Sequence, residues 1–90
     1  MRYLLWCKEK QCGDSGPMSQ VLDGSDPSYA VIPGKYRPEI GNGIRVGSFV
    51  GRIFQSQDWW QTTPVVEILI DEPEYMKFRT RNSIYEWRII

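Results

Sequence analysis

The chain has 90 residues with eleven basic and eleven acidic side chains, so its formal charge is zero. A chain of this length forms one domain, and we assign residues 1–90 to a single domain. The balanced charge disfavours generic binding to double-stranded nucleic acid, which requires a basic excess, and gives no reason to expect a membrane surface. The aromatic content is high, with four Trp, five Tyr and three Phe, and these rings supply either core material or a binding surface.

The first half of the chain predicts short strands separated by long loops. Residues 2–7 are apolar and aromatic and predict a strand, whereas residues 8–17 are rich in glycine and polar residues and predict a loop. The remaining elements of this half are short extended pieces at 20–22 and 29–32, turns at 23–27 and 33–34, and a long surface loop at 35–43.

The second half carries a clearer strand pattern. Residues 44–54 are apolar but contain Gly47 and Gly51, which predicts a strand, a bulge or tight bend, and a second strand. A polar loop is predicted at residues 55–64. The rest of the chain predicts a meander with strands at 65–70, 76–81 and 84–89 and turns at 71–74 and 81–83.

The last predicted strand alternates in polarity. Tyr85, Trp87 and Ile89 share one face and are predicted to point into the core, while Glu86 and Arg88 share the other. Short strands at regular spacing, punctuated by glycine and proline, predict an all-β fold. We expect a small antiparallel barrel or roll of five to six strands, similar to Src-homology 3 domains, with long loops in its N-terminal half.

The sequence lacks the groups that most enzymes use. It contains no histidine, which removes the commonest general acid–base group and zinc ligand. Cys7 and Cys12 lack the second pair that a structural zinc site needs, and they predict free thiols in a reducing cytoplasm. The glycines at 41–47 lack the strand and helix that flank a phosphate loop, and the acidic turn at 71–74 is typical of solvated surface. We therefore expect a non-enzymatic protein without cofactor or metal.

Three basic residues alternate along one predicted strand. Lys77, Arg79 and Arg81 are expected to project from the same face. One interpretation is cross-strand pairing with Glu67 and Glu86, which makes an ordinary solvated face. The other is a small patch that recognises an anion.

Two adjacent tryptophans, Trp59 and Trp60, lie in the predicted polar loop beside Asp58 and Gln61. Adjacent residues of an extended segment face opposite sides, so at most one of the pair enters the core easily. The other is predicted to be partly exposed, either as an interface anchor or base-stacking platform, or as a structural lid over the end of the barrel.

The C-terminal third carries a family resemblance. Thr62-Thr63-Pro64-Val65, followed by Phe78-Arg79-Thr80-Arg81-Asn82-Ser83-Ile84-Tyr85, resembles the ends of short uncharacterised phage-encoded and bacterial proteins that share T-[ST]-x-V and T-x-N-S-x-Y. The resemblance implies a hairpin with its turn at Asn82-Ser83. It implies no activity and no site residues.

Two function classes follow from these observations. The first is a small phage-type accessory protein, cytoplasmic in the host cell, that binds and inhibits a host protein such as an antiviral defence component. The second is a module that sequesters a nucleotide or other small anion between Trp59 or Trp60 and the strand of Lys77, Arg79 and Arg81, or that binds single-stranded nucleic acid with the same groups. A homo-oligomer is compatible with either.

Overall fold

The computed structural model describes residues 1–48 and 58–90. These residues form nine β-strands arranged in two antiparallel sheets, which confirms the predicted all-β class. Within them, no helix has the length and apolar character needed to cross a membrane.

The larger sheet has five strands in the order β2-β1-β9-β8-β7. Its strands are β1 Tyr3–Cys7, β2 Cys12–Gly16, β7 Val65–Glu72, β8 Tyr75–Thr80 and β9 Ile84–Ile89. The predicted C-terminal meander is therefore confirmed: β7, β8 and β9 are consecutive and pair antiparallel. The N-terminal strand β1 then adds to β9, so the two ends of the chain lie side by side.

The smaller sheet has four strands in the order β4-β3-β5-β6. Its strands are β3 Met18–Leu22, β4 Val31–Ile32, β5 Gly43–Ser48 and β6 Asp58–Gln61. The part of the predicted 44–54 region that lies beyond Ser48, including Gly51, falls outside the described residues. Gly47 has a φ of +149°, which residues with a side chain rarely adopt.

The chain passes from one sheet to the other at Pro17, the single residue between β2 and β3. The last residue of β2, Gly16, lies against the backbone of Gly47 in the other sheet. A Cβ atom on Gly16 would lie 2.3 Å from the Gly47 carbonyl oxygen, so this close approach of the two sheets requires glycine.

The core lies between the two sheets. Trp87 and Phe78 are its largest fully buried side chains, and Tyr85 is 5% exposed. Ile89 is half-buried and packs against the same cluster. The predicted inward face of the last strand is therefore confirmed, since Glu86 is only partly buried and Arg88 is exposed.

One prediction about the architecture was wrong, and another holds in its coarser form. Residues 8–17 are not one loop, because residues 12–16 form β2, which pairs with β1 across a tight turn in which Gln11 has a φ of +52°. The composition of β2 is poor for a strand, and cross-strand pairing overrides it. The expected barrel or roll of five to six strands is confirmed as a small antiparallel β fold, but the barrel is not closed: among the described strands β2, β7, β4 and β6 each end a sheet, so the two sheets stay open.

Candidate functional site

The two adjacent tryptophans lie on a strand and not in a loop. Residues 58–61 form β6, which pairs with β5, so the predicted loop at 55–64 was wrong for these residues. Trp60 lies opposite Val46 and packs against the core. Trp59 lies opposite Gly47 and therefore belongs to the other face of the sheet.

The indole nitrogen of Trp60 is buried. Among the described residues, no acceptor lies within hydrogen-bond distance of Trp60 Nε1. A buried donor without a partner costs about 1–3 kcal/mol, so burial of the ring stabilises the fold less than it would with a partner. This position points to a structural role for Trp60.

On the face that Trp59 shares, three strands place polar side chains side by side. Gln20 on β3 lies opposite Arg45 on β5, and Arg45 lies opposite Gln61 on β6. The Arg45 guanidinium carbon lies 4.6 Å from the centroid of the Trp59 ring. Arg45 donates from Nε and Nη2 to Gln61 Oε1 at 3.1 and 2.8 Å, and from Nη1 to Gln20 Oε1 at 3.4 Å. We call these four residues the Arg45 cluster.

A half-buried tyrosine lies near this cluster. The Tyr29 hydroxyl donates to the Thr62 carbonyl oxygen at 2.7 Å and lies directly over Gly43, where a Cβ atom would overlap it. Burial raises the pKa of Tyr29 above its ordinary value, and the nearby positive charge of Arg45 opposes that rise. Burial likewise lowers the pKa of Arg45. The guanidinium is thus partly removed from water.

The three predicted basic residues lie on the larger sheet and do not form one group. Arg79 donates from Nε to Glu67 Oε1 at 3.1 Å, so this residue follows the cross-strand pairing interpretation. Lys77 lies in register with Glu86, whose Oε2 accepts the Tyr75 hydroxyl at 2.7 Å. Arg81 follows the end of β8.

Arg81 borders a shallow hollow together with Glu9, Arg79 and residues 82–84. The Glu9 carboxylate accepts the Ile84 N–H there at 3.1 Å, so an acidic group already occupies the hollow beside the basic ones. The hollow is on the larger sheet, whereas Trp59 and Trp60 belong to the smaller one. The structure therefore does not assemble the predicted ligand site between the tryptophans and Lys77, Arg79 and Arg81.

A second surface lies along β7, which ends the larger sheet and pairs with β8 on one side only. Its three exposed aliphatic side chains are Val66, Leu69 and Ile70, at 39%, 43% and 38% exposure. The pairing with β8 shifts register between Val65 and Glu67 and again between Ile68 and Ile70, so two bulges leave Val66 and Leu69 without a residue opposite them. We call these three side chains the β7 patch.

The open edge of β7 is limited at both ends. At its start, Val65 donates to the Asn42 carbonyl oxygen and accepts from the Gly41 N–H, at 2.9 and 2.8 Å. At its end, Arg37 donates to the Asp71 carboxylate at 2.7 Å and to the Glu72 carbonyl oxygen at 3.1 Å. The apolar middle of the strand lies between these two contacts.

Sequence reasoning missed the β7 patch and, apart from Trp59, the Arg45 cluster. Arg45 stands between two core residues, Ile44 and Val46, and that alternation is the signal that a strand carries it to the outer face. The β7 patch was hidden because residues 65–70 are apolar except for Glu67, and a strand of this composition is typical of a buried position. The bulges, which turn Val66 and Leu69 outward, leave no trace in the sequence.

The described residues show no metal site. Residues 1–48 and 58–90 contain no group of three or more Cys, Asp or Glu side chains able to hold a metal ion, and the thiols of Cys7 and Cys12 are free. The chain matches no family model, no curated protein and no solved structure.

Proposed function

We propose that the protein is a non-enzymatic binding domain that holds another protein on the β7 patch. The observation that carries this proposal is the exposure of three aliphatic side chains, Val66, Leu69 and Ile70, on one edge strand of a small domain. Edge strands of soluble proteins are normally short or protected by charge, because an exposed apolar edge invites association. An eight-residue strand with an apolar middle at the edge of a sheet is therefore best explained by a partner.

The charges around the patch define the kind of partner. Glu67 and Asp71 are each paired with an arginine of the chain. Glu72 and Glu74 are exposed and have no ion pair among the described side chains. An apolar patch with an acidic end fits a partner surface that carries aliphatic or aromatic side chains beside lysine or arginine.

The resemblance of the C-terminal hairpin to phage-encoded proteins extends the proposal. The partner is a protein of the host cell, binding takes place in the cytoplasm, and the bound partner, such as an antiviral defence component, is inhibited. The test of this extension is the growth of a phage on cells that carry a defence system, with and without expression of the chain.

Valine gives a matched pair of positions for testing the patch. Val66 on β7 and Val31 on β4 are both edge-strand valines, exposed to 39% and 38%. A photoreactive amino acid at either position, irradiated in host lysate, identifies the protein that lies against each strand. The captured partner is then purified, and its affinity is measured by calorimetry for the wild type, Val66→Lys, Leu69→Lys and Val31→Lys.

We expect Val66→Lys and Leu69→Lys to weaken binding at least tenfold, equivalent to about 1.4 kcal/mol, and Val31→Lys to leave it unchanged. Unchanged thermal midpoints would show that all three variants remain folded. Equal affinity of the folded Val66→Lys and Leu69→Lys variants and the wild type would overturn the proposal. If position 66 crosslinks only to a second copy of the chain, the β7 patch is the interface of a homo-oligomer and the proposal of a host partner is wrong.

A further inference from the structure

The Arg45 cluster contains a positive charge that none of the described carboxylates neutralises. Arg37, Arg79 and Arg88 each form an ion pair with an acidic residue. Among the described side chains, none of the acidic ones lies within ion-pair distance of Arg45, and its partners are the neutral amide oxygens of Gln20 and Gln61. Removing a guanidinium from water without an anionic partner costs free energy. An anion that arrives from solution recovers part of that cost.

The unused donors of the cluster match an oxyanion. A guanidinium carries five N–H groups, and the two glutamines accept three of them, which leaves one on each of Nη1 and Nη2. Two N–H groups on the two terminal nitrogens form the fork that binds two oxygens of one carboxylate or phosphate. The Gln61 oxygen accepts from Nε and Nη2 on one side of the guanidinium, so the second Nη2 N–H points toward the end formed by Nη1 and Nη2.

The glutamines add donors of their own. Because their Oε1 atoms accept from Arg45, their Nε2 amide groups point away from the guanidinium. No acceptor within the described part of the chain is bonded to either amide group. The cluster therefore presents N–H groups from three side chains on three neighbouring strands, all in register.

The position of the guanidinium is fixed before any ligand arrives. It stacks on Trp59 at 4.6 Å and is held from both sides by glutamine, and the strands beneath it pair residue by residue. A side chain that is already immobilised loses little entropy on binding. This arrangement distinguishes Arg45 from an exposed arginine such as Arg2.

We propose that the Arg45 cluster is a binding site for the carboxylate or phosphate group of a small ligand. The two free N–H groups of Arg45 donate to two oxygens of the ligand, Gln20 and Gln61 donate to the same two oxygens of a carboxylate or to the further oxygens of a phosphate, and Trp59 holds the guanidinium plane. The site is on the smaller sheet and is separate from the β7 patch. Anion binding at Arg45 can therefore be tested independently of the proposed protein partner.

The test follows the Arg45 Nε–H, the glutamine side-chain amides and the Trp59 indole by nitrogen–proton NMR. Acetate, inorganic phosphate and adenosine monophosphate are titrated separately at low salt. Acetate and phosphate distinguish the two oxyanions, and the nucleotide shows whether an attached base adds affinity. The variants are Arg45→Gln and Arg45→Lys, with Arg2→Gln as the control that removes one exposed positive charge.

We expect at least one probe to give saturable chemical-shift changes at the three donor side chains, Arg45, Gln20 and Gln61. Arg45→Gln should weaken that probe at least tenfold, and Arg45→Lys should weaken it less but measurably, because lysine keeps the charge and loses the fork. Arg2→Gln should have no effect. The proposal is overturned if none of the probes gives saturable shifts, or if Arg45→Lys, folded by its thermal midpoint, binds as tightly as the wild type.

Discussion

The indole nitrogen of Trp87 donates a hydrogen bond to the Ser19 hydroxyl at 3.1 Å across the core. Trp87 belongs to the larger sheet and Ser19 to the smaller one. The Ser19 hydroxyl in turn donates to the Tyr36 carbonyl oxygen at 2.7 Å. One hydroxyl therefore joins both sheets and the loop that precedes β5.

We predict that Ser19→Ala destabilises the protein by about 1–3 kcal/mol, because it leaves the Trp87 indole N–H buried without an acceptor. Urea unfolding followed by tryptophan fluorescence measures the change. The control is the same substitution in a Trp87→Phe background, where no indole donor exists and the cost should fall. An equal cost in both backgrounds would mean that the hydrogen bond contributes nothing.

Trp87→Ala should lower the free energy of unfolding by about 3–5 kcal/mol, because the ring is fully buried and its removal leaves a cavity between the sheets. For a small domain this is a large part of the total stability. Trp6→Ala is the matched control, because Trp6 is only half-buried and lies on the outer face of the larger sheet. The thermal midpoints of the two variants should differ clearly, and equal midpoints would contradict the observed register.

Gly43→Ala should destabilise the protein although the change is small. A Cβ atom at Gly43 would lie 1.6 Å from the Tyr29 hydroxyl oxygen and 2.8 Å from the Thr62 carbonyl oxygen, so Tyr29 must leave its hydrogen bond. Adding Tyr29→Phe, which removes that oxygen, should recover part of the loss. Gly34→Ala serves as a control for backbone strain alone, because Gly34 has a φ of +80° and open space around it.

The sequence predicted the strands whose side chains alternate or that end in strong turn residues. The meander of β7, β8 and β9 and the inward face of Tyr85 and Trp87 were correct for this reason. β2 and β6 were missed, because the polar composition of one and the polar neighbours of the other favour loops locally. Their strand conformation comes from cross-strand pairing with β1 and β5, which the propensity of the individual residues does not report.

The candidate site was predicted only in part. Adjacency alone placed Trp59 and Trp60 on opposite faces, which the pairing of β6 with β5 bears out. The grouping of the tryptophans with Lys77, Arg79 and Arg81 required knowledge of which strands share a sheet. That knowledge depends on the passage of the chain from β6 in the smaller sheet to β7 in the larger one, at residues 62–64, and no local pattern reveals it.

Tyr75 should titrate above its ordinary pKa of 10.0, mainly because its hydroxyl donates to the Glu86 carboxylate. The raised folded-state pKa means that this contact stabilises the protein fully below the unfolded-state pKa, and that the contribution is lost as pH rises through the folded-state value. Absorbance titration at alkaline pH measures the pKa of Tyr75. Glu86→Gln should lower the Tyr75 pKa toward its ordinary value. Tyr75→Phe should remove the Tyr75 step from the titration curve, while Tyr29 still ionises at a pH above its ordinary pKa.

Trp59→Ala and Trp60→Ala should separate stability from binding. Trp60 packs against the core opposite Val46, so its removal should lower the free energy of unfolding by about 2–4 kcal/mol, reduced from a full core loss by its unpaired indole N–H. Trp59 is half-buried on the other face beneath Arg45, so its removal should cost clearly less stability.

The main effect of Trp59→Ala should instead be on the order of the Arg45 side chain, whose guanidinium no longer stacks on a ring. Its Nε–H should exchange faster with solvent, and oxyanion binding should weaken while affinity for a partner on the β7 patch is unchanged. Trp59→Phe, which keeps a ring under the guanidinium, should restore much of the binding. Equal destabilisation by both alanine variants, with no change at Arg45, would make both tryptophans structural and leave the stacking on Trp59 without a function.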